Sequence, residues 1–143
     1  MQAILSADLI VIGPGSLYTS ILPNLLVPDI SQAVRAGRAL KIYICNVATQ
    51  PGETLNYSCS DHVRALQEHT GGGLFDLIVV NNEHSGKLPE NSQWVIMDDE
   101  LKDDYPVYSA DLVDDERPWR HESEKLARVL MDLLEERTGP LVE

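Results

Sequence analysis

Short apolar runs alternate with segments of helical spacing along this chain. Three β-branched runs, at residues 8–12, 41–45 and 76–80, are bounded by turn residues and predict buried strands. Helical patterns lie between and after them. This alternation is typical of βαβ units, so we predict an α/β fold that is Rossmann-like, with a mostly parallel sheet flanked by helices.

The helical segments have recognisable ends. Residues 30–36 precede Gly37, which we expect to C-cap that helix. Residues 61–69 follow Ser60, a predicted N-cap, and stop at the glycine run that begins with Gly71. Residues 18–22 predict a short turn of helix before Pro23.

The second half of the chain is less regular until its last helix. Residues 94–97 and 107–108 predict short strands, the latter at a sheet edge. From residue 126, leucines and valines recur at helical spacing up to residue 134, and Gly139-Pro140 is expected to end this helix.

Length and composition fit one α/β domain over residues 1–143. No apolar run is long enough to span a membrane, and the amino terminus lacks a signal-peptide pattern. Cys45 and Cys59 are too few for a disulfide framework and are expected to be free thiols. We therefore expect a cytoplasmic protein with no membrane partner.

The net charge of −12 is unevenly distributed. Residues 1–75 carry five acids and four bases, whereas residues 76–143 carry eighteen acids and seven bases. Such a surface repels a phosphate backbone, so we expect no nucleic-acid partner. A single loop of an acidic protein can still be electropositive, so the charge does not exclude a nucleotide ligand.

The strongest local signal is a glycine-bearing turn after the first strand. Gly13 and Gly15 allow close approach of a ligand to the main chain, and hydroxyls follow at Ser16, Thr19 and Ser20. Neither the Rossmann pattern G-x-G-x-x-G nor the phosphate-loop pattern is present. The alternative is a tight strand-to-helix turn with no ligand.

A second polar cluster follows the second strand. Asn46, Thr49 and Gln50 are neutral groups suited to a sugar or a base edge, at the sheet end where ligands bind in parallel sheets. Gln50 could equally serve the Pro51-Gly52 turn. Asn81 ends the third strand, where turn formation is an equal alternative.

Other chemistry is weakly indicated. The four histidines show no metal-type spacing, and Ser16 has no identifiable base partner, so no catalytic residue can be assigned. The acidic run at 98–104 could bind a hard cation but is more typical of a solvated loop.

Three stretches, at residues 7–27, 46–53 and 57–65, together resemble the gluconeogenesis factor family, which is related to archaeal 2-phospho-L-lactate transferases. The resemblance implies a nucleotide-diphosphate site. We expect it at the two loops, with these ligand-binding residues: Gly13, Pro14, Gly15, Ser16, Tyr18, Thr19, Ser20, Asn46, Thr49 and Gln50.

The bacterial branch of this family implies a UDP-sugar-binding regulator of carbon metabolism and cell-wall morphogenesis. One alternative is a transferase that moves a phospholactyl group to a deazaflavin with magnesium; another is an interaction module that binds no ligand. The family's glycine-rich first loop is not found here, so the chain resembles the carboxyl-terminal half. We therefore expect a homo-oligomer or association with an amino-terminal half.

Overall fold

The computed structural model describes residues 1–138. Its centre is a four-stranded, all-parallel sheet in the order β1-β2-β3-β4, with β1 at Leu9–Ile12, β2 at Leu40–Ile44, β3 at Leu77–Asn81 and β4 at Val107–Ala110. Neighbouring strands are in register at Ile12 and Tyr43, at Ile44 and Val79, and at Asn81 and Ala110. The predicted α/β fold with a parallel sheet is confirmed.

Six α-helices surround this sheet in the described residues: α1 at Gln2–Leu5, α2 at Leu22–Leu25, α3 at Pro28–Ala36, α4 at Cys59–Thr70, α5 at Asp99–Asp104 and α6 at Ser123–Thr138. A π-helical turn at Leu17–Ile21 runs directly into α2. Consecutive strands are neighbours in this parallel sheet, and each connection between them is expected to be a right-handed crossover. The connecting helices therefore pack on one face of the sheet, and α6 covers the other.

The two faces of the sheet have separate cores. Tyr43, Ile78 and Val80 point to the side of α2 to α5, where the larger apolar cluster forms. Ile42 and Val79 point to the opposite side and pack with Leu112, Leu126 and Leu133, the last two from α6. This alternation along β2 and β3 explains why both strands are apolar throughout: each is covered on both faces.

Several predicted elements differ from the structure. Residues 94–97 form no strand; Trp94 makes only an isolated antiparallel bridge to Ala48. Helix α4 begins at Cys59 instead of Asp61, because Ser58 and Asp61 form a reciprocal capping box. Gly37 does cap α3 as predicted, with its N–H donating to the Ala33 carbonyl at 2.9 Å, but its φ of −66° is not the left-handed conformation.

Other elements were not foreseen or fall outside the described part. Helices α1 and α5 were missed because both are a turn or two long, too short to show periodicity. The predicted end of α6 at Gly139-Pro140 lies outside the described residues. None of the helices within residues 1–138 combines the length and the apolar character needed to cross a bilayer.

Candidate functional site

A cavity, called the main cavity below, opens at the carboxyl ends of the strands. It measures about 840 Å³ and lies between the loop after β1, the loop after β2 and the amino-terminal part of α6. Gly15 and Asn46, which follow different strands, both line it. They come together because parallel strands end at one edge of the sheet.

One side of the cavity is the turn wall, formed by Pro14, Gly15 and Ser16. Gly13, just before it, has φ +84° and is joined to Pro14 by a cis peptide bond. A Cβ on Gly13 would stand 3.1 Å from the Ile44 carbonyl oxygen, so glycine is required there by conformation and by space. A Cβ on Gly15 would meet only ordinary contacts, at 3.5 Å or more.

The turn wall also presents backbone donors. The amide groups of Ser20 and Ile21 both donate to the Ser16 carbonyl, each at 2.9 Å. Within residues 1–138, the N–H groups from Gly15 to Thr19 that precede them donate to no backbone carbonyl. Free, neighbouring N–H groups at a tight turn form a concavity that favours an anion.

The Ser16 side chain has partners that the sequence did not reveal. Its hydroxyl lies 2.7 Å from Glu53 Oε2 and 2.8 Å from Gln50 Oε1, and it accepts a hydrogen bond from Thr19 at 2.6 Å. The expectation that Ser16 has no base partner is therefore wrong: the carboxylate of Glu53 contacts it. The Ser16 proton is occupied by these acceptors, and the hydroxyl joins the loops after β1 and β2.

The loop after β2 is also internally bonded. Thr49 is buried; its N–H donates to the Gln93 carbonyl at 2.8 Å, and its hydroxyl accepts from the Gln93 N–H at 2.9 Å. The Gln50 N–H donates to the Thr54 hydroxyl at 2.9 Å. Both residues line the cavity, but their hydrogen bonds hold the loop in place. Among the described residues of this loop that line the cavity, Asn46 is the one whose polar side chain has no hydrogen-bond partner.

Four of the predicted ligand residues lie away from the main cavity. Tyr18 and Thr19 line a shallower cleft of about 550 Å³, and Gly13 and Ser20 line a groove beside β1. Tyr18 shares a hydrogen bond of 2.8 Å with Tyr57, and this bond, helped by burial, raises the pKa of Tyr18 to about 12. Ligand binding by these four residues stays a prediction.

Asn81 has a structural role in the described chain. Its amide donates to the Glu83 carbonyl at 2.7 Å and its oxygen accepts from Leu112 N–H at 3.2 Å, which ties the ends of β3 and β4 together. The histidines of α4 bond locally as well: the Nδ1 atoms of His62 and His69 each lie 2.8 Å from the carbonyl four residues earlier.

The opposite side of the cavity was not predicted. We call it the α6 wall. It consists of Trp119, Arg120, His121 and Ser123, together with the apolar residues of α6 that also line the cavity, Leu126, Ala127 and Leu130. Arg120 is exposed and is the one Lys or Arg among the described residues that line this cavity. The available signal was topological: a helix packed on the open face of a parallel sheet can begin near the strand ends where ligands bind.

The His121 side chain in the α6 wall is half-buried. Burial lowers its pKa from 6.5 to about 4, opposed in part by the backbone carbonyl of Cys45, which favours the protonated form. Its Nε2 atom is buried and has no hydrogen-bond partner among the described residues. His121 is therefore neutral at physiological pH and adds no positive charge to the cavity.

The acidic run at 98–104 lies elsewhere. Most of it forms α5, and Asp98 accepts a hydrogen bond from Ser60. Burial opposes ionisation of Asp98, but hydrogen bonding to the carboxylate outweighs it and lowers the pKa of Asp98. Within residues 1–138, no group of three or more His, Cys, Asp or Glu is placed to hold a metal ion.

Comparison with known proteins gives consistent matches. The sequence profile of the family described as 2-phospho-L-lactate transferase CofD matches residues 1–128. The chain is 45% identical over 154 residues to the gluconeogenesis factor of Bacillus subtilis, covering 95% of this chain and 46% of that protein. It is 58% identical over 83 residues to the gluconeogenesis factor of Halalkalibacterium halodurans, covering 58% of this chain and 26% of that protein.

Solved structures agree with the sequence matches. A crystal structure of a UPF0052 family member from Bacillus halodurans superposes with a TM-score of 0.80 at 41% identity, covering 91% of this chain and 44% of that one. The resemblance noted from residues 7–27, 46–53 and 57–65 is confirmed. The chain spans about half the length of the relatives that it matches over most of its own length.

Proposed function

Because the chain belongs to the 2-phospho-L-lactate transferase CofD family, we propose that it binds a nucleotide sugar of the UDP-sugar type and acts as a regulator of carbon metabolism and cell-wall morphogenesis. The name of the Bacillus subtilis relative, gluconeogenesis factor, supports the regulatory part. The observation that carries the binding part is the cavity between the turn wall and the α6 wall.

The size and position of this cavity suit a nucleotide-sized ligand. Its volume of about 840 Å³ falls in the range of small-molecule sites, which is roughly 300–1,000 Å³. It lies beyond the carboxyl ends of parallel strands, where α/β proteins bind their ligands.

The two walls together supply what a diphosphate needs. Burying a phosphate charge is costly unless several donors converge on it. The free N–H groups of the turn wall are donors without a charge, and the Arg120 guanidinium adds a positive charge from the α6 wall. The Glu53 carboxylate at the Ser16 hydroxyl disfavours a phosphate on that side chain, so we place the diphosphate against the backbone of the turn and Arg120.

The family description, 2-phospho-L-lactate transferase, favours a second candidate, the transferase that the resemblance implies would use a deazaflavin and magnesium. Magnesium needs one or two carboxylates plus phosphate oxygens. The carboxylate among the described lining residues of the main cavity is that of Glu90, so a magnesium ion there would be held mainly by phosphate oxygens of the ligand. We place the regulator first because the Ser16 hydroxyl, which contacts the Glu53 carboxylate, is engaged in joining the loops after β1 and β2.

Titration calorimetry of the chain with UDP-N-acetylglucosamine, GDP, NAD and a deazaflavin tests the proposal. We expect UDP-N-acetylglucosamine to bind. Ala127→Glu, on the part of α6 that lines the cavity, adds a repelling charge and should weaken binding at least tenfold, whereas Ala36→Glu on α3 should not. Equal affinity of both variants, or binding of the deazaflavin instead, would contradict the proposal.

We also propose that the open edge of β1 pairs with a second copy of this chain. Among residues 1–138, β1 pairs with a strand on one side only, Val11 is 39% exposed, and an apolar groove of about 380 Å³ lies along the strand. The half of the chain that contains β1 is nearly neutral, so two copies would not repel strongly there.

Sedimentation at high micromolar concentration tests this pairing. Val11→Lys should shift the chain towards monomer, because a lysine on an edge strand opposes pairing. Tyr108→Lys is a matched control, since Tyr108 is also 39% exposed but lies on β4, the opposite edge, in the acidic half. A parental chain that sediments as a monomer would overturn the proposal.

A further inference from the structure

The two tryptophans of the chain are used differently by the fold. Trp94 is half-buried, its ring lies 5.4 Å from that of His84, and its backbone bridges to Ala48. Trp119 is 41% exposed, and within residues 1–138 its ring packs against no other aromatic ring and its indole N–H donates no hydrogen bond. The fold therefore leaves a large aromatic surface unused at the cavity.

The backbone that carries Trp119 is held in place. The Arg120 N–H donates to the Arg117 carbonyl at 2.8 Å, and the Arg120 carbonyl accepts from the Asp114 N–H at 3.0 Å. On the other side of Trp119, Pro118 is buried against Gly86. The fit is so close that a Cβ on Gly86 would stand 2.4 Å from Pro118 Cγ. A ring on such a segment loses little conformational freedom when a ligand binds it.

We propose that Trp119 is the stacking surface for the base of a bound nucleoside diphosphate, an assignment that rests on the proposed function. Every base has an apolar π-face, and stacking on an aromatic side chain is a recurrent way to bind one. The neighbouring Arg120 lies in the same wall, so the base and the diphosphate of one ligand reach adjacent residues. Leu126 and Leu130 extend the apolar lining beyond the ring.

This assignment makes the affinity depend on the base. Without stacking, a nucleoside diphosphate would bind through its phosphates alone, as inorganic pyrophosphate would. The comparison of UDP with pyrophosphate therefore isolates the contribution of Trp119 from that of the turn wall and Arg120.

Calorimetry with UDP and with inorganic pyrophosphate, on the parental chain and on Trp119→Ala, tests the assignment. We expect Trp119→Ala to weaken UDP binding by about 5- to 150-fold, the range for stacking one base on an aromatic side chain, and to leave pyrophosphate binding unchanged. Trp119→Phe should restore most of the UDP affinity, because it keeps a π-face.

Fluorescence gives an independent readout. In Trp94→Phe, Trp119 is the one tryptophan left, and UDP should quench its emission saturably while pyrophosphate should not. UDP affinity that is equal in the parental chain and Trp119→Ala, or a loss shared equally by UDP and pyrophosphate, would overturn the assignment alone. Failure of the parental chain to bind either compound would overturn the proposed function together with it.

Discussion

The two walls of the cavity are built in opposite ways. The turn wall and Gly13 just before it contribute backbone: a required glycine at 13, and N–H groups from Gly15 to Thr19 that donate to no backbone carbonyl within residues 1–138. The α6 wall contributes side chains: an exposed ring at Trp119, an exposed cation at Arg120 and a half-buried neutral ring at His121.

This difference separates the effects of mutation. A change in the turn wall that disturbs the backbone should alter folding first, because the backbone geometry is the feature that matters. A change at an exposed side chain of the α6 wall should alter binding and leave folding intact. His121 is the exception in that wall, because its ring is half-buried and its Nε2 atom is inaccessible to solvent.

Gly13→Ala tests the turn wall and should have the largest effect. A left-handed φ and a Cβ 3.1 Å from the Ile44 carbonyl oxygen should together lower the free energy of unfolding by about 2–4 kcal/mol. Gly15→Ala is the matched control, since its Cβ meets atoms no closer than 3.5 Å. Urea denaturation measures both, and equal stability of the two variants would show that the turn is not conformationally constrained.

The half-buried histidine of the α6 wall should make stability depend on pH. The unfolded chain binds a proton at His121 near pH 6.5, whereas the folded chain does so only near its lowered pKa of about 4. The free energy of unfolding should therefore fall as pH drops from 6.5 towards 4, by up to on the order of 3 kcal/mol from this residue. Above pH 6.5 the contribution is complete.

Urea denaturation between pH 7 and pH 4.5 measures this dependence. His121→Gln should reduce the slope, and His84→Gln, at an exposed position, should keep it. The lowered pKa of His62 contributes in the same direction to every variant, so the difference between slopes is the informative quantity. An unchanged slope in His121→Gln would contradict burial of a neutral ring.

Arg120→Ala should change binding and not folding. Loss of a charge-assisted contact to a diphosphate costs about 1.5–3 kcal/mol, which corresponds to roughly 10- to 150-fold in affinity. Arg128→Ala, on the exposed part of α6 outside the cavity lining, should keep the parental affinity. If both variants bind UDP equally well, Arg120 does not contact the ligand, and the α6 wall loses its part in phosphate binding.

The same difference between the walls explains what could be predicted from the sequence. The strands and the Gly13 turn were found because their signals are local: β-branched runs, glycine, and hydroxyls within a few residues. The Ser16–Glu53 bond joins residues 37 positions apart, and the α6 wall lies about 100 positions after the turn wall. No local pattern connects residues so far apart. The prediction of a strand at 94–97 was wrong. Val95 is apolar because its side chain is buried, and within residues 1–138 this segment forms one isolated bridge and no strand.

The most direct test is to map where UDP-N-acetylglucosamine binds by NMR on the isotopically labelled chain. We predict saturable shifts at the backbone amides of residues 15–19 and at the Trp119 indole and Arg120 side chain, with α5 unchanged. Shifts confined to α5 and its acidic neighbours, or shifts in one wall only, would contradict a ligand held between the turn wall and the α6 wall.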